Sequence, residues 1–118
     1  MTMILIIEDH ADLRNDITEI LGFEGYTVIS AGDGTEGLRL AKEEKPDVIV
    51  SDIMMPGMDG YEVFRRLHED AETSKIPFIF MTGTHAHEKS GKRADAYIKK
   101  PFPIDELISM IEKVKDNR

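Results

Sequence analysis

The chain has 118 residues, of which 41% are hydrophobic and 32% charged, with a net charge of −8 and no cysteine. This is the length of one domain with a core of ordinary size and the balance of a folded, soluble chain rather than a disordered one. No apolar run approaches the roughly 20 residues of a membrane span, no secretory signal is visible, disulfides and thiolate metal sites are excluded, and the acidic balance argues against direct nucleic-acid binding. The absence of cysteine fits a cytoplasmic protein.

Apolar segments alternate with amphipathic ones along the chain. The first strand is expected at Met3–Ile7, and Leu13, Ile17, Ile20 and Leu21 then repeat at helical spacing, with Gly22 and Gly25 punctuating the helix end. A second strand is expected at Thr27–Ser30. Leu38 and Ala41 mark a second helix that ends at Lys45-Pro46. The third strand, Val48–Ser51, is a short apolar run closed by Asp52 and the Pro/Gly-rich turn MMPGMDG. Such an element holds the Asp52 carboxylate rigidly while its oxygens reach solvent, which suits chemistry better than packing. Val63, Phe64 and Leu67 give a third helix, Pro77–Met81 a fourth strand and Ala96–Ile98 a fifth. Ile104, Leu107, Ile108, Ile111 and Val114 form the apolar stripe of a last helix, whose first turn carries Asp105 and Glu106. Five β units alternating with five α units predict an α/β fold, a parallel sheet covered on both faces. No repeat or linker interrupts it, so residues 1–118 are read as one domain.

Ligands of open α/β sheets bind beyond the carboxyl ends of the strands. The residues in those positions are Glu8-Asp9 after the first strand, Asp52 after the third, Thr82-Gly83 after the fourth and Lys99-Lys100-Pro101 after the fifth. Each alone has a plain explanation: helix capping for the acidic pair, a turn for Asp52, a strand-end hydrogen bond for Thr82, a solvated amine for Lys100. Their joint arrival at one edge does not. Three gathered carboxylates repel and raise one another's pKa unless a cation neutralises them. A hard oxygen-seeking ion such as Mg2+, held by few carboxylates and completed by water and phosphate oxygen, meets that need. Asp52 could then attack a phosphoryl group to give an aspartyl phosphate, with Lys100 and the Thr82 hydroxyl binding phosphoryl oxygens.

Over essentially its whole length the chain resembles the receiver domain of bacterial two-component response regulators. The resemblance rests on Ile7-Glu8-Asp9, on Asp52 with Met55-Pro56-Gly57-Met58-Asp59-Gly60, on Met81-Thr82-Gly83 and on Tyr97-Ile98-Lys99-Lys100-Pro101-Phe102. It implies a flavodoxin-like doubly wound (βα)5 fold with strand order 2-1-3-4-5. It implies that Asp52 takes phosphate from a sensor histidine kinase or a histidine phosphotransfer protein. Asp9, Asp52 and the backbone carbonyl of Met54 would ligate Mg2+, Glu8 acting largely through water. Lys100 would pair with the phosphoryl group, Thr82 would move to meet it, and the Tyr97 rotamer would report activation. Met54 and Thr84 would border the phosphoryl group and influence its lifetime. The Lys100-Pro101 bond is expected to be cis. The resemblance also implies a switch that controls an output partner, rather than a turnover enzyme, as a monomer or a weak phosphorylation-dependent dimer.

Thr82 and Lys100 are only 18 positions apart, about one helical turn short of the family pattern. The intervening stretch is polar, contains Ser90-Gly91 and has Arg93 where the family commonly has Gly. A short, polar and mobile helix is therefore expected there, where the family often carries its output surface. His85 and His87, two apart, fall on different sides of a helix and are read as solvated rather than as a metal pair. His10 is read as a rim residue without a necessary role, and Gly91-Lys92 lacks the rest of a phosphate-binding loop. Two other functions were weighed. A phosphatase using an aspartyl phosphate would need a second acid two residues after the nucleophile, where this chain has Met54. A phosphate-independent interaction module would have no need of the complete set Glu8, Asp9, Asp52, Thr82 and Lys100.

Overall fold

A computed structural model describes residues 1–83 and 96–116 of the chain. Five strands, β1 (Met3–Ile7), β2 (Thr27–Ala31), β3 (Val48–Asp52), β4 (Phe78–Thr82) and β5 (Ala96–Lys99), form one parallel sheet in the order β2-β1-β3-β4-β5. Four helices accompany them among the described residues: α1 (Ala11–Phe23), α2 (Gly34–Glu44), α3 (Gly60–His68) and α4 (Ile104–Lys115). The short helix expected between the fourth and fifth strands lies outside the described residues, as do Thr84, His85, His87, Gly91-Lys92 and Arg93.

The period-two geometry of a strand sends its apolar residues to both faces. Ile4, Ile6, Val50 and Met81 face one core with Ile17 and Leu21 of α1 and Leu107 and Ile111 of α4. Leu5, Ile7, Ile49 and Phe80 face a second core with Ala41 of α2 and Val63 and Leu67 of α3. Helices on both faces explain why the central strands are apolar up to their carboxyl ends and why no residue of β3 or β4 is exposed. Ile20 corrects the expected stripe of the first helix: it is 38% exposed, so Ile17 and Leu21 form the seam.

The helix ends follow local rules. After α1, Gly25 takes φ +100, its N–H donates to the Gly22 carbonyl, and the Tyr26 N–H donates to that of Leu21. This is a Schellman closure, which needs a residue content with left-handed backbone. Gly22 itself lies inside the helix rather than beyond it. Lys45 takes the same region, with φ 47, and stops α2 ahead of Pro46. Asp33 and Asp59 cap α2 and α3, their side chains accepting from the N–H groups of Glu36 and Glu62.

The chain runs from β1 outward to β2, then crosses back to lay β3 on the other side of β1. The connection leaving β1 enters α1 on one face, and that leaving β3 enters α3 on the other. A crevice therefore opens between the carboxyl ends of β1 and β3. The register pairs Ile7 with Ser51, Asp52 with Met81 and Thr82 with Lys99, bringing all four strand ends level at that crevice.

Candidate functional site

Glu8 and Asp9 leave β1 side by side. Glu8 is fully buried, its backbone N–H donating to the Ala31 carbonyl and its carbonyl accepting from the Arg14 guanidinium at 2.8 Å. Asp52 ends β3 and is only 5% exposed, so the carboxylate is more enclosed than a simple strand-end position suggests. One of its oxygens accepts from the Ile53 N–H at 2.9 Å. Lys100, one residue past β5, reaches back across the crevice: its Nζ lies 3.0 Å from Glu8 Oε1 and 3.2 Å from Asp52 Oδ2. Its backbone N–H donates to the Thr82 carbonyl at 2.7 Å, tying the ends of β4 and the Lys100 loop together. The Lys100-Pro101 bond is cis, as expected.

The crowding divides the acids. Burial first, and then the negative charge of Glu8, push the Asp52 carboxyl above the ordinary range, against the pull of Lys100 and the Ile53 N–H. Burial would also raise Glu8, but the His10 N–H, Lys100 and the His10 ring outweigh it and hold Glu8 low. For Lys100, burial works against the charge, yet hydrogen bonds and attraction to the two carboxylates raise its pKa. The expected mutual repulsion thus falls on Asp52, while Glu8 is the acid that Lys100 and His10 stabilise in its charged form.

Glu8, Asp9, His10 and Asp52 each present one ligand atom within 4.8 Å of all the others. Asp9 Oδ1 is buried and has no hydrogen-bond partner. An orphaned carboxylate oxygen beside two further carboxylates is a poor arrangement for stability and a fitting one for a hard divalent cation. The residues present therefore fit Mg2+. Of the three methionines of the turn, expected to pack locally, Met55 and Met58 do so, whereas Met54 is 70% exposed beyond the strand end.

The remaining expected residues surround this centre. Thr82 closes β4 and is buried. Tyr97 lies half-buried on β5, its ring 5.4 Å from that of Phe80, which in turn meets Tyr61 edge-on at 5.1 Å. Burial and then the neighbouring Tyr61 raise the Tyr97 hydroxyl pKa. Two features go beyond the sequence reading, which placed Gly60 in the turn motif and His10 at the rim of the site. A side chain at Gly60 would run into the Asp52 carbonyl and lie 2.9 Å from the Ile53 Cα, so this glycine lets α3 start directly against the end of β3. His10 touches the centre itself: its Nδ1 is 3.1 Å from Glu8 Oε2. The signal for it was adjacency to Asp9, which by itself is weak.

Strand-end acids opposed by a lysine at the crevice of a five-stranded parallel sheet make this a doubly wound α/β protein with a charged site at its switch point. Residues 4–112 match the family model of the response regulator receiver domain, and the chain belongs to that family, the receivers of phosphorylation-based two-component signal transduction. It is 39% identical to protein PilH of Pseudomonas aeruginosa over 97% of this chain and 98% of that protein. It is 37% identical to histidine kinase P4 of Formosa agariphila, where the match covers 98% of this chain but only 9% of that protein. Among solved structures it resembles the receiver domain of sensor histidine kinase PA1611 from Pseudomonas aeruginosa, with 25% identity, a TM-score of 0.90 and 98% of both chains covered. That structure has a magnesium ion coordinated in its active-site cleft. Among the described residues, no helix is long and apolar enough to cross a membrane.

Proposed function

We propose that Asp52 is the phosphoacceptor of this receiver and that residues 1–118 act as one phosphorylation-controlled switch. An Asp52 carboxylate oxygen attacks the phosphorus of a phosphohistidine on a sensor kinase or phosphotransfer protein. The new O–P bond forms as the P–N bond breaks, and the bonding pair stays with the departing imidazole. Lys100, 3.2 Å from Asp52 Oδ2, neutralises charge on the transferred group, and the Thr82 hydroxyl serves as its further donor. Asp9, Asp52 and the Met54 carbonyl would hold Mg2+, with Glu8 acting largely through water, and the ion would supply charge neutralisation to the transferred group. The Lys100 ammonium shared between Asp52 and Glu8 is the observation that carries this reading.

Phosphate on Asp52 would draw Lys100 and Thr82 toward it and bias Tyr97 between two positions against Phe80, a local charge event with a wider readout. The protein then acts as a cytoplasmic switch on an output partner rather than as a turnover enzyme, with no membrane or nucleic acid contacted directly. The test is intact mass after incubation with Mg2+ and a small phosphodonor, for wild type and Asp52→Asn. One added phosphoryl group on wild type and none on the variant is the expected result. No addition to wild type, or equal addition to both, overturns it.

A further inference from the structure

We propose that His10 is a metal-ligating residue of this site, giving it a mixed imidazole and carboxylate donor set that prefers a transition-metal dication to Mg2+. The inference rests on reading the Glu8, Asp9 and Asp52 cluster as a divalent-cation site. His10 Nδ1 lies 3.1 Å from Glu8 Oε2 and 3.6 Å from Asp9 Oδ1, the buried oxygen that makes no hydrogen bond. Adjacent ligands of an octahedral ion with bonds near 2.1 Å stand about 3.0 Å apart, and opposite ones about 4.2 Å. The imidazole nitrogen thus stands at about the adjacent-ligand spacing from Glu8 Oε2 and between the adjacent and opposite spacings from Asp9 Oδ1.

The backbone around His10 is already anchored. Its N–H donates to Glu8 Oε2 at 3.0 Å, and its carbonyl accepts the Arg14 N–H at 2.9 Å as the first bond of α1. His10 is the N-cap residue of α1, yet its side chain makes no capping hydrogen bond, so the ring is not spent on the helix. The His10 side chain is 75% exposed, which leaves its outer edge open to entering cations and to water ligands. Nδ1 can either donate a proton to Glu8 or, in the other tautomer, offer its lone pair to a metal, but not both. Imidazole adds little to a site for Mg2+, whereas it strengthens binding of Co2+, Ni2+ and Zn2+.

The experiment is calorimetric titration of Mg2+ and Co2+ into wild type, His10→Gln and Asp9→Asn, with circular dichroism to verify folding. The Co2+ over Mg2+ preference of wild type should fall about tenfold in His10→Gln, mainly through weaker Co2+ binding. An unchanged ratio in His10→Gln overturns the role of His10 while leaving the cation site standing. Failure of either cation to bind wild type, or undiminished binding to Asp9→Asn, overturns the cation site and His10 with it. A second readout is the nitrogen-15 resonance of His10 Nδ1: Zn2+ should move it and Mg2+ should not, and no movement with Zn2+ counts equally against the proposal.

Discussion

Along the middle of the sheet the buried positions are Ile6, Val50, Ile49, Phe80 and their like, whereas at the carboxyl ends of the same strands they are Glu8, Ser51, Asp52 and Thr82. The sheet body buries apolar surface on both faces and leaves its backbone groups paired in the ladders. At the rim, Glu8 and Asp52 are just as hidden from solvent but carry charge, and depend on Lys100, His10 and single N–H groups to remain buried. Where the ladder ends, a strand has backbone donors to spare and a rigid frame to hold a side chain. The body is therefore where this molecule gains stability, and the rim is where it gives some up for chemistry.

The sharpest break of that contrast is at Phe80. It is fully buried and meets Phe78, Phe64, Tyr61 and Tyr97. Phe80→Ala should cost about 3–5 kcal/mol in urea unfolding, as truncation of a buried aromatic does. A cost below about 1 kcal/mol would show that the aromatic face is not the structural one.

Lys100→Met removes the ammonium shared by two buried carboxylates. In the absence of added metal it should destabilise by about 2 kcal/mol, less than for a fully enclosed pair because Lys100 is partly exposed. Millimolar Mg2+ should recover part of that loss, since a ligand of the native state stabilises by mass action. Equal loss with and without Mg2+ would place Lys100 in the structural frame instead.

Asp52→Asn should act with the opposite sign. A carboxyl whose pKa is raised on folding opposes folding in its charged form, so the neutral amide should stabilise the metal-free protein at neutral pH. The expected gain is about 1 kcal/mol, read as a higher melting temperature. A drop of that size would mean that the Lys100 pair outweighs burial and Glu8.

The smallest effect belongs to the outer surface. Glu62, half-buried on α3, accepts hydrogen bonds from Arg65 and Arg66, which hold its carboxyl down at about 2. A lowered carboxyl pKa stabilises fully above its unfolded value near 4.5 and loses that contribution as pH falls toward about 2. Acid titration of stability should therefore be slightly shallower in Glu62→Gln over that window, and identical curves would remove the pair from consideration.

How much of this was legible beforehand varies by residue. The five strands were placed to within a residue at most ends, because runs such as Ile4-Leu5-Ile6-Ile7 and Phe78-Ile79-Phe80-Met81 suit burial on both faces. Ile20 was misassigned since its spacing from Ile17 fits a helical stripe as well as that of Leu21 does; only the direction of the neighbouring sheet separates them. The capping pairs Asp33–Glu36 and Asp59–Glu62 were present as local signals but went unread beside the stronger motif around Asp52.

Sequence alone determined the alternation of strands and helices and the residue types waiting at each strand end, because periodicity and turn chemistry are local. It also carried the family, since motifs at four separate strand ends rarely coincide by chance. Tertiary structure alone decided how the charges share one crevice. Lys100 bridges Glu8 and Asp52 across 92 and 48 positions of chain, Asp9 keeps a buried oxygen without a hydrogen bond, and His10 stands beside them. Those facts depend on distances of a few ångströms between strands brought together only by the crossover, and electrostatic energy at that range depends on the folded positions of the groups, not on their order in the chain.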